Sequence, residues 1–194
     1  MNSCENLVPA AGYRHVKMHP EARVALNATV IGDVELARDA TVLPEAAIRA
    51  DYGERIVIGE GSDVQEGCSL HVDAGFPLTV GRNVIIGHNA TVHGCTVEDG
   101  VLIGMGAIVM NGARVGKEAL IGAGALVPEG REVPPRAVMV GVPAKQIRTL
   151  TDEEVAQNAA DAALYVEIGK QMERDGIVVS GADMPRNIPA IGVE

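Results

Sequence analysis

His71, His88 and His93 are the residues of this chain whose types and spacing could do chemistry. The last two lie five residues apart in Gly87-His88-Asn89-Ala90-Thr91-Val92-His93-Gly94-Cys95, and His71 stands 22 residues before His93. Imidazole is the commonest protein ligand for zinc and its neighbours. Three nitrogen ligands with a fourth position open make a catalytic rather than a structural zinc arrangement. The set therefore predicts a metal centre for Zn2+, with Fe2+ or Co2+ as alternatives. Taken singly, each histidine reads as an ordinary surface residue. What lifts the set above that is the repeat in which all three sit.

Val24, Val30, Leu36, Val42 and Ile48 are spaced by six. Ile58, Val64 and Leu70 resume the count, as do Val80, Ile86 and Val92, and then Val97, Ile103, Val109, Val115, Ile121 and Val127. The residue four places on is usually small, as at Ala40, Ala46, Ser62, Cys68, Ala90 and Ala107. Glycine often follows the aliphatic residue, as at Gly59, Gly81, Gly87, Gly104, Gly116 and Gly122. Six is not a helical period and is three times the period of a strand. Short strands joined by tight corners, three to a coil, satisfy it. The aliphatic residues then point inward and stack about 4.8 Å apart, the small residues turn the corners, and the glycines are expected to take positive φ. The result is an all-β solenoid, a parallel β-helix of about six coils, each touching only its neighbours.

Position in the repeat places the histidines. His71 is one residue after Leu70 and His93 one after Val92, so they share a repeat position. Of the 22 residues between them, four belong to an inserted loop, and the other 18 are one full coil. The two rings should stand one above the other on the same wall, one strand spacing apart. His88 is two after Ile86, on the preceding wall, pointing away. It can join the pair only from a neighbouring copy. The expectation is a homotrimer with three metal sites, each using His71 and His93 of one copy and His88 of the next, since cyclic heterologous contacts close into rings.

Composition agrees with a narrow, regular interior. The chain is 47% hydrophobic but only 2% aromatic. A net charge of −10 argues against nucleic acid or an anionic membrane as partner. No run of apolar residues is long enough to span a bilayer, and the first residues lack the pattern of a signal peptide. Three cysteines at unrelated spacings suit reduced thiols, so the expected location is cytoplasmic.

Residues 1–23 read as an irregular lead-in, with His15 and His19 at the surface, and 24–148 as the solenoid. It is interrupted at 49–55 and 72–77, and closed by Pro128-Glu129-Gly130 and the segment through Lys145. Thr151-Asp152-Glu153-Glu154 is a capping box opening a helix over 152–175, within a 149–176 unit, which Gly176 should stop. Val155, Ala159, Ala162 and Val166 mark its apolar stripe for the solenoid flank. The tail, 177–194, carries two prolines and reads as irregular.

At these residues the sequence resembles the γ-class carbonic anhydrases and their hexapeptide-repeat relatives over roughly residues 20–170. The carrying motifs are Arg49-x-Asp51, Val64-Gln65-Glu66-Gly67 followed by His71, Gly87-His88 with His93-Gly94-Cys95, Ile103-Gly104-Met105-Gly106-Ala107 and Gly141-Val142-Pro143-Ala144-Lys145. The resemblance implies a left-handed coil, zinc on His71, His88 and His93, and Gln65 orienting the metal-bound water or bicarbonate. It further implies Arg49 and Asp51 as an intersubunit ion pair, and Tyr165 as a helical hydroxyl near the metal, although Tyr165 also reads as plain helix packing. Three neutral imidazoles leave zinc its full charge, which lowers the pKa of a bound water from about 15.7 to about 7 and suits the reversible hydration of carbon dioxide to bicarbonate. The sequence departs from the class at Tyr52, where an acidic residue is usual, at Glu66, at Glu167 and in the short loop after His71, where Asp73 alone is acidic. These departures bear on proton transfer, for which Glu54, Glu66 or Asp73 could substitute.

Other chemistries fit the same fold. A hexapeptide acyltransferase acting on acyl-CoA needs a single histidine base in a groove between subunits. A thioesterase acting on acyl-CoA could use the same metal site, and a catalytically silent metal-binding homologue would keep the site without turnover.

Overall fold

The computed structural model describes residues 16–183. Its chain coils into three sheets, one per wall, parallel from coil to coil, with an antiparallel strand at each end of the second. The first wall carries, among the described residues, seven strands from Lys17–Met18 through Ile56–Ile58 and Leu78–Val80 to Glu132–Val133. The second includes Arg23–Ala25, Thr41–Val42, Asp63–Val64, Ile85–Ile86, Leu102–Ile103, Leu120–Ile121 and Ala137–Val140. The third includes Ala47–Ala50, Ser69–His71, Thr91–His93 and Ile108–Val109.

The registers are those of the six-residue repeat. Val24, Val42, Val64, Ile86, Ile103, Ile121 and Met139 form one continuous ladder on the second wall. Val30, Ile48, Leu70, Val92, Val109 and Val127 form that of the third. All but Val30, at the open end, are buried. Each inward side chain rests on its equivalent one coil away, so the core is a stack of aliphatic layers, and the alternation of a strand leaves the flanking residues to face outward.

The coil is longer than six turns. Lys17–Met18 pairs in parallel with Glu35 and Leu36, inside the segment expected to be irregular. At the other end, Val133 and Met139 continue the stack beyond the break expected after Val127. Pro128, Pro134 and Pro135 sit outside the strands, so they do not interrupt the ladders. About seven turns result. The glycines that follow the aliphatic residues also act differently from expectation: none of Gly59, Gly81, Gly87, Gly104, Gly116 and Gly122 has positive φ. Their backbones lie against the next coil instead. A Cβ on Gly59 would stand 2.2 Å from the Gly81 carbonyl oxygen.

The capping box is present in full: Thr151 accepts from the Glu154 amide, and the Glu154 carboxylate accepts from the Thr151 amide. The helix runs Asp152–Arg174, with Gly176 just beyond it at φ 73°. It lies along the second wall. Arg136 pairs with Asp152 at one end, and Arg23, buried, pairs with Glu173 at the other. Of the expected stripe only Ala162 is fully buried; Gly169 joins it, close against the Thr41 hydroxyl, because the wall there leaves no room for a Cβ. The tail is not wholly irregular. Val178–Ser180 pairs antiparallel with Arg23–Ala25, covering the open edge of the first coil that would otherwise leave ladder groups unpaired. His19 is half-buried, accepting from the Glu21 amide. His15, the residues before it and 184–194 lie outside the described residues.

Candidate metal centre

His71 and His93 are direct cross-strand partners on the third wall, and Arg49 occupies the same column one coil before His71. The stacking expected from the count of eighteen is therefore present. His71 Nδ1 faces His93 Nε2 at 2.8 Å, with ring centroids 4.8 Å apart.

The outer nitrogens fix the rings. His71 Nε2 lies 2.8 Å from Asp51 Oδ1, and a carboxylate can only accept, so this nitrogen carries a proton and donates. His93 Nδ1 lies 2.6 Å from Asn111 Oδ1, whose Nδ2 donates to Asp73 Oδ2 at 2.9 Å. That second bond orients the carboxamide, so His93 Nδ1 also donates. In the neutral rings both lone pairs then point at one spot. Two facing lone pairs at hydrogen-bond distance repel, and a cation shared between the rings would relieve that repulsion. Ligating histidines are commonly anchored in this way through their other nitrogen. The donor atoms of His71, Asp73 and His93 all lie within 4.8 Å of one another.

His88 is not part of this group within one chain. It sits on the corner after Ile85–Ile86, and its Nδ1 lies 2.7 Å from Glu66 Oε2. The ring is anchored like the other two, with Nε2 making no hydrogen bond among the described residues, and its side chain is 42% exposed. Gln65 is buried beside it; its Oε1 accepts from the His88 amide at 3.2 Å. Tyr165 lies on the helix against the second wall, away from the third-wall pair, and its hydroxyl makes no hydrogen bond among the described residues.

Arg49 and Asp51 form an ion pair within the one chain. They flank Ala50, so their side chains leave the same face and reach each other. Partial burial pushes the Asp51 carboxyl up, but the His71 hydrogen bond and the Arg49 charge outweigh it and hold it below the usual carboxylate range. The two inserted loops clasp through the Gly75 amide and Glu54, and Tyr52, 58% exposed, stands edge-on to His71. Glu54, Glu66 and Asp73 are thus all engaged in hydrogen bonds.

Asn111 was not legible as a site residue. Its signal was available: it lies 18 residues, one coil, beyond His93. Cys68 and Cys95 are buried free thiols, and burial pushes them up to about 11 and about 12, which leaves them inert. Among the described residues no helix is long and apolar enough to cross a membrane.

Residues 94–129 match the family described as bacterial transferase hexapeptide (six repeats). A Bacillus cereus crystal structure, named a candidate acetyltransferase, is 35% identical, with a TM-score of 0.79 over 82% of this chain and 92% of that one. A hexapeptide transferase family protein from Anaplasma phagocytophilum is 30% identical, with a TM-score of 0.77 over 80% of this chain and 92% of that one. The chain belongs to the hexapeptide-repeat transferase family. With membership comes the left-handed β-helix. A galactoside acetyltransferase in complex with coenzyme A is a more distant likeness, 26% identical with a TM-score of 0.53, over 61% of this chain and 66% of that one. No curated protein sequence matches significantly. Members of a fold family share a scaffold, while activity resides in the side chains grafted on it.

Proposed function

We propose that this hexapeptide-repeat protein is an enzyme working from a divalent-metal centre on His71 and His93, completed by His88 of a neighbouring copy in a homotrimer, and that its reaction is the reversible hydration of carbon dioxide. One observation carries the reading: His71, His93 and His88 each have one ring nitrogen held by an outer partner, Asp51, Asn111 and Glu66, and the other left for a ligand. A general base needs one such histidine; three with an outer partner, His71 held through Nε2 and His88 and His93 through Nδ1, suit a cation. Zn2+ fits this donor set best, since neutral imidazoles and tetrahedral coordination suit it. Bound there, it would lower the pKa of a coordinated water to about 7. Asp51 and Asn111 hold the two stacked rings in register, Gln65 fixes the backbone of His88, and the Tyr52 ring shields the edge of His71 from solvent.

A second reading is acyl transfer from acyl-CoA. The names of the similar proteins, acetyltransferases and one with coenzyme A, favour it over hydration. In it the Asp51–His71 pair is the general base, the carboxylate orienting the ring and stabilising its charged form.

Metal analysis of the purified protein separates the two. We expect about one zinc, iron or cobalt per chain, lost in His88→Ala while the assembly persists, and carbon dioxide hydration by stopped flow that falls with the metal. A metal-free protein that acetylates an acceptor from acetyl-CoA, and keeps doing so in His88→Ala, would replace the first reading with the second.

A further inference from the structure

Asp63 and Gln65 flank the inward Val64, so both side chains leave the same outward face of the second wall. Both are 2% exposed. Neither oxygen of Asp63 has a hydrogen-bond partner among the described residues, and neither does Gln65 Nε2. Gln65 Oε1, by contrast, accepts from the His88 amide, which fixes which end of the carboxamide is which. An orphaned acceptor and an orphaned donor thus stand two residues apart on one dry face, and buried polar groups are rarely left so.

We propose that Asp63 is a positioning residue that sets the orientation of the Gln65 carboxamide, and through it the seat of His88. As a carboxylate, Asp63 accepts from Gln65 Nε2, and Oε1 stays on the His88 amide. As a carboxylic acid it becomes a donor; Gln65 Oε1 is the acceptor beside it, and taking that bond draws the carboxamide from His88. Burial, the largest influence, raises Asp63 from 3.8 to about 7, with Gln65 pulling it back down and Glu66 adding to the rise, so the exchange falls near neutral pH.

Among the described residues Asp63 pairs with no cation. Its cross-strand neighbours are Thr41 and Ile85; neither carries a charge, and the buried Thr41 hydroxyl, also without a partner, is a second donor beside the Gln65 carboxamide. On its own stretch of chain the titratable groups are Glu66 and Cys68, whose thiol is in turn pushed up in part by Asp63. From the helix, Val166 lies by Gly61 and Gly169 against the Thr41 hydroxyl, both uncharged, with Tyr165 and Glu167 the titratable residues next to Val166 in the helix. Arg23, one coil beyond Thr41, is paired with Asp39 and Glu173.

The last link, from His88 to activity, rests on the metal-centre reading; the exchange itself does not. The test is a pH titration by NMR of the full chain, with Asp carboxyl carbons and Gln side-chain amides labelled, and no metal or substrate added. We expect the Asp63 carboxyl and the Gln65 amide to shift with one shared midpoint near 7, and the Gln65 shift to vanish in Asp63→Asn. A Gln65 amide that stays still while Asp63 titrates, or that still titrates in Asp63→Asn, overturns the proposal. Should Asp63→Asn fail to fold, the comparison of the two midpoints in the unaltered chain decides. A protein that binds no zinc and hydrates no carbon dioxide would overturn the function proposed above and leave this result standing.

Discussion

Replacing Asp63 by asparagine should stabilise the protein at pH 8 and do little at pH 4. The side chain keeps its shape, and what changes is the charge that folding must bury. Desolvation lifts the folded carboxyl from 3.8 to about 7, a shift of roughly three units, and each unit is worth about 1.36 kcal/mol. Here the folded value lies above the unfolded one. Between the two values the folded state holds more protons than the unfolded state, so the stability associated with the group is complete below about pH 4, falls as the pH rises, and is lost above about 7. Asparagine has no such slope. The difference between variant and unaltered protein should therefore grow by roughly 4 kcal/mol from pH 4 to pH 8. Urea unfolding of both, at one protein concentration and a series of pH values, measures it directly. Carboxyls that do not interact with Asp63 cancel in the comparison; Glu66, whose charge adds to the Asp63 shift, is the exception. A difference that stays flat across the range would refute the reasoning, since it would mean that Asp63 is solvated, or paired with a cation, in solution.

Two further outcomes follow from the same geometry. Asn111→Ala removes the acceptor that orients His93 and should weaken zinc binding about 10- to 100-fold, read by competition against a chelator; unchanged affinity would mean that His93 needs no outer partner. Thr151→Ala removes the side-chain half of the capping box and should lower the unfolding free energy by about 1 kcal/mol, measured by urea unfolding with helix signal as probe; a helix that loses nothing would place its stability wholly in the Arg136, Arg148 and Arg23 ion pairs.

The inward half of the structure was legible because it repeats. An error of one residue in Val64 or Ile103 would have put the whole column on the wrong face, so the count alone determined the registers. The ends were less legible. Lys17–Met18 and Glu132–Val133 flank turns rich in proline and charge, and their six-residue spacing shows only when the coils beside them are already in place. The glycines were read by conformation, when the reason for Gly59 and Gly104 is the carbonyl or amide of the next coil, a contact that does not exist in the one-dimensional chain. In the site, the stacking of His71 on His93 was legible from the count of eighteen. Asp51 was recognised but assigned only to Arg49; its bond to His71 depends on the loop at 51–55 folding back over the wall. Asn111 and Asp63 were missed because neither belongs to a motif. Each matters through what lies one coil, or two residues, away.

This division follows from the geometry of the solenoid. In each strand the inward residue serves the stack and its neighbours face out, so outward positions can change without disturbing the core. A column of outward residues on one wall places side chains one strand spacing apart, and that is how His71 and His93 come to face one another. A column cannot surround a cation, because all its members approach from the same side. A third ligand has to come from another surface, and His88, on a corner and anchored by Glu66, is prepared for a surface that is not its own chain's. The repeat therefore accounts for two ligands, and assembly must account for the third. That is why family membership alone leaves the chemistry open: relatives sharing every inward residue could differ in one outward column and in how their corners meet.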